Sequence, residues 1–208
     1  MSKKTIEPNQ DSDPIYTWNK EFKLYKNKDA AAIRDGCKEL LKHIKRARYP
    51  LKFKEHLIDW CIWKFTTCDF VFSSRGKYPK PGEDDELMGD KYACHYYTQK
   101  AWKILVKAKN KSALPYKKLR FDHVWERDGL RNDILKNGTS DEIYNKFVGC
   151  VVTKTENDKL TKASKLKLEG WKRYEGKAIF VYCYKKKGTY CKCRVNKNGV
   201  FVDCEPIQ

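Results

Sequence analysis

The sequence lacks any hydrophobic run approaching the roughly 20 residues that a membrane helix requires. Its first residues, Met1-Ser2-Lys3-Lys4, are followed by polar residues rather than by an apolar core of signal-peptide length. These absences predict a cytoplasmic protein that does not engage a membrane. The nine cysteines are then expected to remain free thiols, because the cytosol is reducing.

The sequence motifs of several large enzyme classes are also missing. There is no G-x-x-x-x-G-K-[ST] loop, no G-x-G-x-x-G turn, no G-x-S-x-G elbow and no H-E-x-x-H pair. Nucleotide hydrolysis on a P-loop, dinucleotide redox chemistry and zincin proteolysis are therefore disfavoured. Catalysis by a cysteine nucleophile remains an alternative, because nine thiols and four histidines allow many Cys–His pairings that the sequence does not rank.

Acidic residues are scarce relative to basic ones. The chain carries 45 Lys and Arg against 27 Asp and Glu, a formal net charge of +18. A field of this size attracts phosphate polymers, either DNA or RNA. Only nine of the basic residues are arginine, which favours point-charge contacts to phosphate over bidentate contacts to bases. The lysine excess also fits the coding bias of an AT-rich genome, which would raise lysine without any role in nucleic-acid binding.

Hydrophobic periodicity divides the chain into three parts. Residues 1–27 are polar and predict a partly ordered arm. Residues 28–172 predict a mainly helical α+β domain with short central strands between helices. Residues 173–208 predict a three-stranded antiparallel β meander packed on the same domain, with a strong turn signal at Asn198-Gly199. The predicted fold class is therefore α+β.

The central part contains several predicted helices and two short predicted strands. The helices cover residues 29–48, 51–65, 92–108, 127–136 and 140–147, followed by a basic helix or linker over 158–172. The strands cover residues 119–125 and 149–153. Two pairs have the capping-box spacing of a helix start, Thr139 with Glu142 and Thr153 with Glu156.

The predicted helix over 29–48 places its apolar and basic residues largely on different sides. Apolar residues recur at helical spacing, whereas the basic residues fall mostly on the other face. The residues predicted to contact phosphates are Lys38, Lys42, Lys45, Arg46 and Arg48.

Period-2 alternation divides the meander into an aliphatic and cysteine face and an aromatic and basic face. The second face is typical of sheets that stack bases and hold phosphates of a single strand. The predicted stacking residues are Tyr182, Tyr184 and Tyr190, and the predicted phosphate contacts are Lys185, Lys186, Lys187, Lys192 and Arg194. The alternative is that the aromatic side chains pack under the helices as part of the core.

Four cysteines of the first face have the spacing C-x7-C-x-C-x10-C, from Cys183 through Cys191 and Cys193 to Cys204. This spacing lacks the C-x2-C pairs of a zinc ribbon. Thiols also pack well among aliphatic side chains. We therefore expect core thiols, no metal site and no cofactor that the sequence identifies with certainty.

A catalytic hypothesis centres on residues 120–127 (RFDHVWER). His123 ends a predicted strand and, with Asp122 and Glu126, could act as in ββα-metal nucleases. Such an enzyme would be a metal-dependent nuclease that uses Mg²⁺. Period-2 alternation places Asp122 and Glu126 opposite His123, so a single site would require a bend. The alternative is a hydrogen-bonded structural histidine, and whether the chain is an enzyme stays open.

The same segment carries a resemblance to a protein family. The run from Phe121 to Arg127, together with Tyr96, Tyr97 and Gly149–Lys154 (GCVVTK), resembles uncharacterised bacterial and phage proteins with an (E/D)-H-V-x-x-R motif. Those proteins tend to have Glu-His-Val-Val-Pro-Arg where this chain has Asp-His-Val-Trp-Glu-Arg. The resemblance implies a phage, mobile-element or defence setting and implies no particular activity.

These observations lead to a principal expectation of a basic nucleic-acid-binding protein that contacts phosphates through lysine-rich faces. The metal-dependent nuclease is one alternative. The other is an interaction protein or inhibitor that acts on a host complex of protein and nucleic acid.

Overall fold

The computed structural model describes residues 16–17, 23–73, 92–107, 117–175, 179–185 and 189–206. Within these ranges the chain forms seven helices and nine strands. The helices are α1 (Ala30–Arg46), α2 (Leu51–Thr67), α3 (Gln99–Val106), α4 (Arg127–Asn137), α5 (Asp141–Asn145), α6 (Lys154–Lys165) and α7 (Lys172–Glu175). The strands are β1 (Tyr16–Thr17), β2 (Lys23–Lys26), β3 (Phe70–Ser73), β4 (Tyr96–Thr98), β5 (Leu119–His123), β6 (Gly149–Thr153), β7 (Phe180–Lys185), β8 (Thr189–Val195) and β9 (Phe201–Pro206). None of the described helices is both long and apolar enough to cross a membrane.

Helices α1 and α2 form a hairpin about Pro50, as their apolar periodicity predicts. Leu41, Ile44, Ile58 and Ile62 are fully buried in one cluster, which α4 and α5 complete with their own apolar residues. Pro50 precedes the first residue of α2, where a helix tolerates the missing N–H of proline. The hairpin thus buries one face of each helix and leaves the opposite faces to solvent.

A six-stranded sheet joins the central strands to the meander in the order β5-β6-β4-β7-β8-β9. Strands β4 and β6 run parallel, and the other pairs in this sheet are antiparallel. Helices therefore accompany a mixed sheet, and the prediction of an α+β fold ending in an antiparallel meander is confirmed.

A separate small sheet pairs β2 with β1 on one side and β3 on the other, all antiparallel. Both β1 and β2 lie in the segment predicted to be a partly ordered arm. Their shortness explains why the sequence does not predict them, because two and four residues are too few to show an alternating pattern.

The helix predicted over 92–108 begins later, at Gln99, because Tyr96–Thr98 form β4. Tyr97 pairs with Val151 of β6 and with Tyr182 of β7. The hydroxyl of Thr98 accepts a hydrogen bond from the Ala101 amide at 3.2 Å. Sheet pairing followed by an N-cap therefore replaces the first predicted turns of this helix.

The capping box predicted for Thr153 and Glu156 is confirmed, whereas the one predicted for Thr139 is wrong. Ser140 caps α5 instead, accepting from the Ile143 amide at 3.3 Å. Glu156 is buried, and its Oε2 accepts from the hydroxyls of Thr98 at 2.7 Å and Thr153 at 2.8 Å and from the Thr153 amide at 3.0 Å. One carboxylate therefore ties the start of α6 to the start of α3.

Replacement of Glu156 by alanine is expected to lower the free energy of unfolding by about 3 kcal/mol, because it leaves buried hydroxyl and amide donors without an acceptor. Urea denaturation followed by circular dichroism measures this change. Glu142→Ala is the matched control, since its exposed i,i+4 pair with Lys146 is worth only about 0.5 kcal/mol. Equal losses of stability in the two variants would contradict the role given to Glu156.

Candidate nucleic-acid interface and its neighbouring cavities

Basic side chains follow one side of α1 and continue into the link to α2. Lys38 is half-buried, while Lys42, Lys45, Arg46 and Arg48 are exposed. The Nζ of Lys42 donates to Glu39 Oε1 at 2.8 Å, a surface pair that neutralises part of this charge. Lys38, Lys42 and Lys45 follow one another at intervals of about one helical turn, and four residues span about 6 Å of helix. We call these three side chains the α1 row.

The densest positive charge lies where α1 turns into α2. Residues 42–54 (KHIKRARYPLKFK) contain six lysines and arginines and no acidic residue. Lys54 Nζ donates to the Lys45 carbonyl at 3.3 Å across the turn. The first turn of α2 has no acidic residue and no side-chain cap, so its helix dipole adds to the positive field.

Exposed aromatic rings lie among these cations. Tyr49 is 40% exposed and Phe53 48% exposed. The Tyr49 ring stands edge-on to Phe53 at 5.3 Å and to His43 at 6.1 Å between centroids. We call residues 42–54 the basic–aromatic turn. The sequence prediction included its basic residues up to Arg48 but missed Tyr49, Lys52 and Phe53, although the cation-rich run with interleaved aromatics is visible in the sequence.

The aromatic face predicted for the meander is partly covered. Tyr182 is only 7% exposed and meets the Trp102 ring of α3 at 5.3 Å, so its ring is closed to a stacked base. For Tyr182 alone, this burial matches the alternative in which the aromatics belong to the core. Lys192 Nζ lies 4.5 Å from the Phe180 ring centroid, and Arg194 is exposed.

The other meander residues of that prediction are only partly described. Lys186 and Lys187 lie outside the described residues. Strand β7 contains Tyr184 and Lys185, and strand β8 contains Tyr190. The structure describes the backbone of these three residues but not their side chains.

The cysteine face of the meander is buried, as predicted for Cys183, Cys191 and Cys193. Cys183 and Cys193 approach to 3.0 Å between sulfurs, and Cys204 packs beside them. Phe201 lies opposite Val195 and joins the core, whereas Val202 lies opposite Arg194. The pairing of β8 with β9 shifts in register between Lys192 and Arg194, and strict alternation does not predict such a shift.

Asp122 is held in a buried network. Its Oδ2 accepts from Arg173 Nη2 at 2.7 Å and from the Tyr174 hydroxyl at 2.5 Å. Burial raises the pKa of Asp122, and the charge of Arg173 and the Tyr174 hydrogen bond oppose that rise. The carboxylate proposed for catalysis is therefore engaged by two side chains of the fold.

His123 lies on the other side of β5, with its ring 5.8 Å from Trp63 and 5.1 Å from Phe121. Both ring nitrogens are shielded from water and have no hydrogen-bond partner among the described residues. Burial, assisted by the charges of Arg127 and Arg173, lowers the pKa of His123 to about 4. At neutral pH the imidazole is therefore uncharged, and the choice between a catalytic and a structural histidine stays a prediction.

A cavity of about 420 Å³ adjoins His123 and Glu126. Glu126 is exposed and precedes α4 without capping it. Within the part of the chain that the structure describes, no group of three or more histidine, cysteine or carboxylate side chains is arranged to hold a metal ion. The Mg²⁺-dependent nuclease at Asp122, His123 and Glu126 therefore stays a prediction without a described metal site.

A second cavity, of about 410 Å³, lies beside the α1 row. Asp69 forms its polar wall, accepting from His95 Nε2 at 2.5 Å and forming an ion pair with Arg34. These contacts lower the pKa of Asp69, although burial alone would raise it. Sequence reasoning missed this site, because its residues range from Arg34 to Gly149 and follow no local spacing.

The thiol that borders the second cavity is not activated as a nucleophile. Cys94 borders the second cavity, but its Sγ donates to the Gly149 carbonyl at 2.9 Å, and burial raises the pKa of Cys94 to about 12. A thiol of this pKa is protonated at neutral pH and is a poor nucleophile.

Comparison with models of protein families, with curated proteins and with solved structures yields no match for this chain. The resemblance drawn from residues 121–127 therefore stays a prediction.

His123 is expected to make stability depend on pH. The unfolded histidine binds a proton near its ordinary pKa of about 6.5, whereas the folded one does so only near 4. The free energy of unfolding should therefore fall by about 3 kcal/mol as pH drops from about 6.5 to about 4. His123→Phe, which keeps an aromatic ring between Trp63 and Phe121, should remove this dependence.

Urea denaturation at a series of pH values tests this expectation through the difference between wild type and variant. His56→Phe is the control, because it makes the same substitution at an exposed histidine of α2. The pKa assigned to His123 is wrong if its variant and the control show the same slope.

Proposed function

We propose that this protein binds nucleic acid through the basic–aromatic turn and the α1 row. The observation that carries the proposal is the composition of the turn, six cations without an acidic residue around the exposed rings of Tyr49 and Phe53. The binding of phosphate polymers releases condensed counterions, so a surface of this kind gains affinity without reading sequence.

The chemistry of the turn favours phosphate contacts over base contacts. Arg46, Arg48 and Lys52 are exposed at its surface. Long cationic side chains held close together repel one another, and a bound phosphate backbone relieves that repulsion. The uncapped first turn of α2 adds backbone N–H groups that also favour an anion.

The aromatic rings favour a single strand over a duplex. Tyr49 and Phe53 meet edge to face, an arrangement that leaves ring surface open to solvent. Unpaired bases stack on such rings regardless of sequence, whereas duplex bases are already stacked. We therefore assign single-stranded DNA or RNA as the preferred ligand class.

The biological setting is part of the proposal. A phage, mobile-element or defence context rests on the resemblance at residues 121–127. An inhibitor of a host protein–nucleic acid complex would also present the basic–aromatic turn, but to an acidic protein surface. Binding of purified protein to protein-free oligonucleotides separates these two functions.

Removal of three cations from the turn should reduce the salt dependence of binding. In the triple variant Arg46→Gln, Arg48→Gln and Lys52→Gln, the slope of log K against log salt should fall by about 0.7 for each phosphate that is no longer neutralised, about 2 in all. Fluorescence anisotropy with a labelled single strand at several salt concentrations measures the slope.

The matched control removes the same charge from α6, where Lys159, Lys162 and Lys165 are exposed. Their replacement by glutamine should change the slope by much less. Equal effects of the two triple variants would mean that net charge alone attracts the strand, and affinity independent of salt would contradict nucleic-acid binding altogether.

Removal of the rings should weaken binding to single strands selectively. Tyr49→Ala and Phe53→Ala should each cost about 1–3 kcal/mol of single-strand affinity while changing duplex affinity little. Leu51→Ala is the control, because Leu51 is 61% exposed in the same turn and has no ring to stack on a base. If the leucine variant binds as weakly as the ring variants, stacking is not the source of the preference.

A further inference from the structure

The cavity of about 410 Å³ beside the α1 row has the dimensions of a small-molecule site. Helix α1 contributes Arg34 and Lys38 to its wall, α2 contributes Phe65, and the segment that includes α5 contributes Tyr144 and Phe147. One side chain of the row, Lys38, thus belongs both to the binding surface and to the cavity.

The cavity combines aromatic rings with cations in a repeated arrangement. The Phe65 and Tyr144 rings are stacked, with centroids 5.8 Å apart and planes 9° from parallel. The Arg34 guanidinium lies 5.4 Å from the Phe65 centroid, and Lys38 Nζ lies 5.3 Å from that of Tyr144. Rings with adjacent cations are the groups that proteins use for a base and its phosphate.

Its polar groups include both donors and acceptors. Asp69 fixes Arg34 and His95 at one wall, and Asp141 and Asn145 line another part. The carboxylates of Asp69 and Asp141 together make the cavity unsuited to a bare phosphate, since like charges repel. A nucleobase edge presents donors and acceptors side by side, and such a mixed wall matches it.

Two polar atoms of the cavity residues lack partners. Tyr144 Oη and Arg34 Nε are shielded from water and have no hydrogen-bond partner among the described residues. Buried polar groups are nearly always paired in folded proteins, and unpaired ones call for a partner such as an ordered water, an ion or a bound polar molecule. A bound polar molecule that draws these side chains toward the cavity would supply the missing partners.

We infer that this cavity binds one nucleotide of the strand that lies along the α1 row, with the phosphate near Lys38 and the base among the aromatic rings. The inference rests on the proposed function, because the α1 row would bring the strand to the cavity. Lys38 and Lys42 are one helical turn apart, about 6 Å, a distance comparable to that between successive phosphates of an extended strand.

Titration of the full chain with the four ribonucleoside 5′-monophosphates, and separately with inorganic phosphate, tests the inference by calorimetry. At least one mononucleotide should bind, and inorganic phosphate should bind more weakly. Tyr144→Phe should weaken mononucleotide binding about 10-fold, the equivalent of one good hydrogen bond. It should leave the thermal midpoint unchanged or raised, because the hydroxyl that it removes has no partner among the described residues of the free protein.

Lys38→Gln is a second variant, expected to weaken mononucleotide binding by a similar factor because it removes the cation that faces the phosphate. Arg48→Gln, in the basic–aromatic turn, is the matched control. It should reduce the salt slope of strand binding without changing mononucleotide affinity.

Three results would overturn the inference: no mononucleotide binding at millimolar concentrations, equal affinities in wild type and both cavity variants, or phosphate binding as tight as nucleotide binding. None of these results bears on strand binding by the turn, because the salt titration of single-strand affinity tests that binding separately. Conversely, mononucleotide binding that responds to Tyr144→Phe, in a protein that binds no strand, would support the cavity and reject the proposed function.

Discussion

The buried guanidinium of Arg173 holds together the parts of the molecule that position the site. Only 4% exposed, it pairs with Asp122 and also donates to the carbonyls of His123 at 2.6 Å and Val124 at 2.7 Å. It thereby fixes the end of β5 against α7, just before the meander. A buried ion pair is weak evidence of net stabilisation. Removal of one partner is nevertheless strongly destabilising, because it leaves the other charge buried and unpaired. The arrangement of β5 is therefore difficult to change by single substitutions.

This constraint extends from β5 to the basic–aromatic turn. Helix α4 begins a few residues after His123, and its Arg131 donates to Asp59 of α2 at 2.9 Å. Helix α2 in turn packs on α1 through the shared apolar cluster. The basic–aromatic turn joins these two packed helices, so its backbone is anchored at both ends. Its cations at Arg46, Arg48 and Lys52 remain exposed.

Regular periodicity made most of the fold predictable, and contacts between distant residues account for the rest. The hairpin of α1 and α2 and the strands of the meander followed from repeats of 3.6 and 2 residues. Strand β4 did not, because Tyr97 and Thr98 join the sheet through partners more than 50 residues away. The site divides in the same way: the cations of the turn are contiguous in sequence, whereas Arg34, Asp69 and His95 meet only in the folded chain.

The turn and the cavity would contribute differently to binding. Lysine and arginine in the turn attract any phosphate chain, so this surface can supply affinity but little discrimination. A walled cavity with fixed donors and acceptors can discriminate among bases, since an unmatched polar group inside it stays unpaired. A strand held by the turn would also raise the local concentration of its own nucleotides at the cavity. Weak intrinsic affinity for a nucleotide would then be enough to keep the cavity occupied. In the proposed arrangement a protein with few arginines is selective, because the cavity and not the charged surface would discriminate among bases.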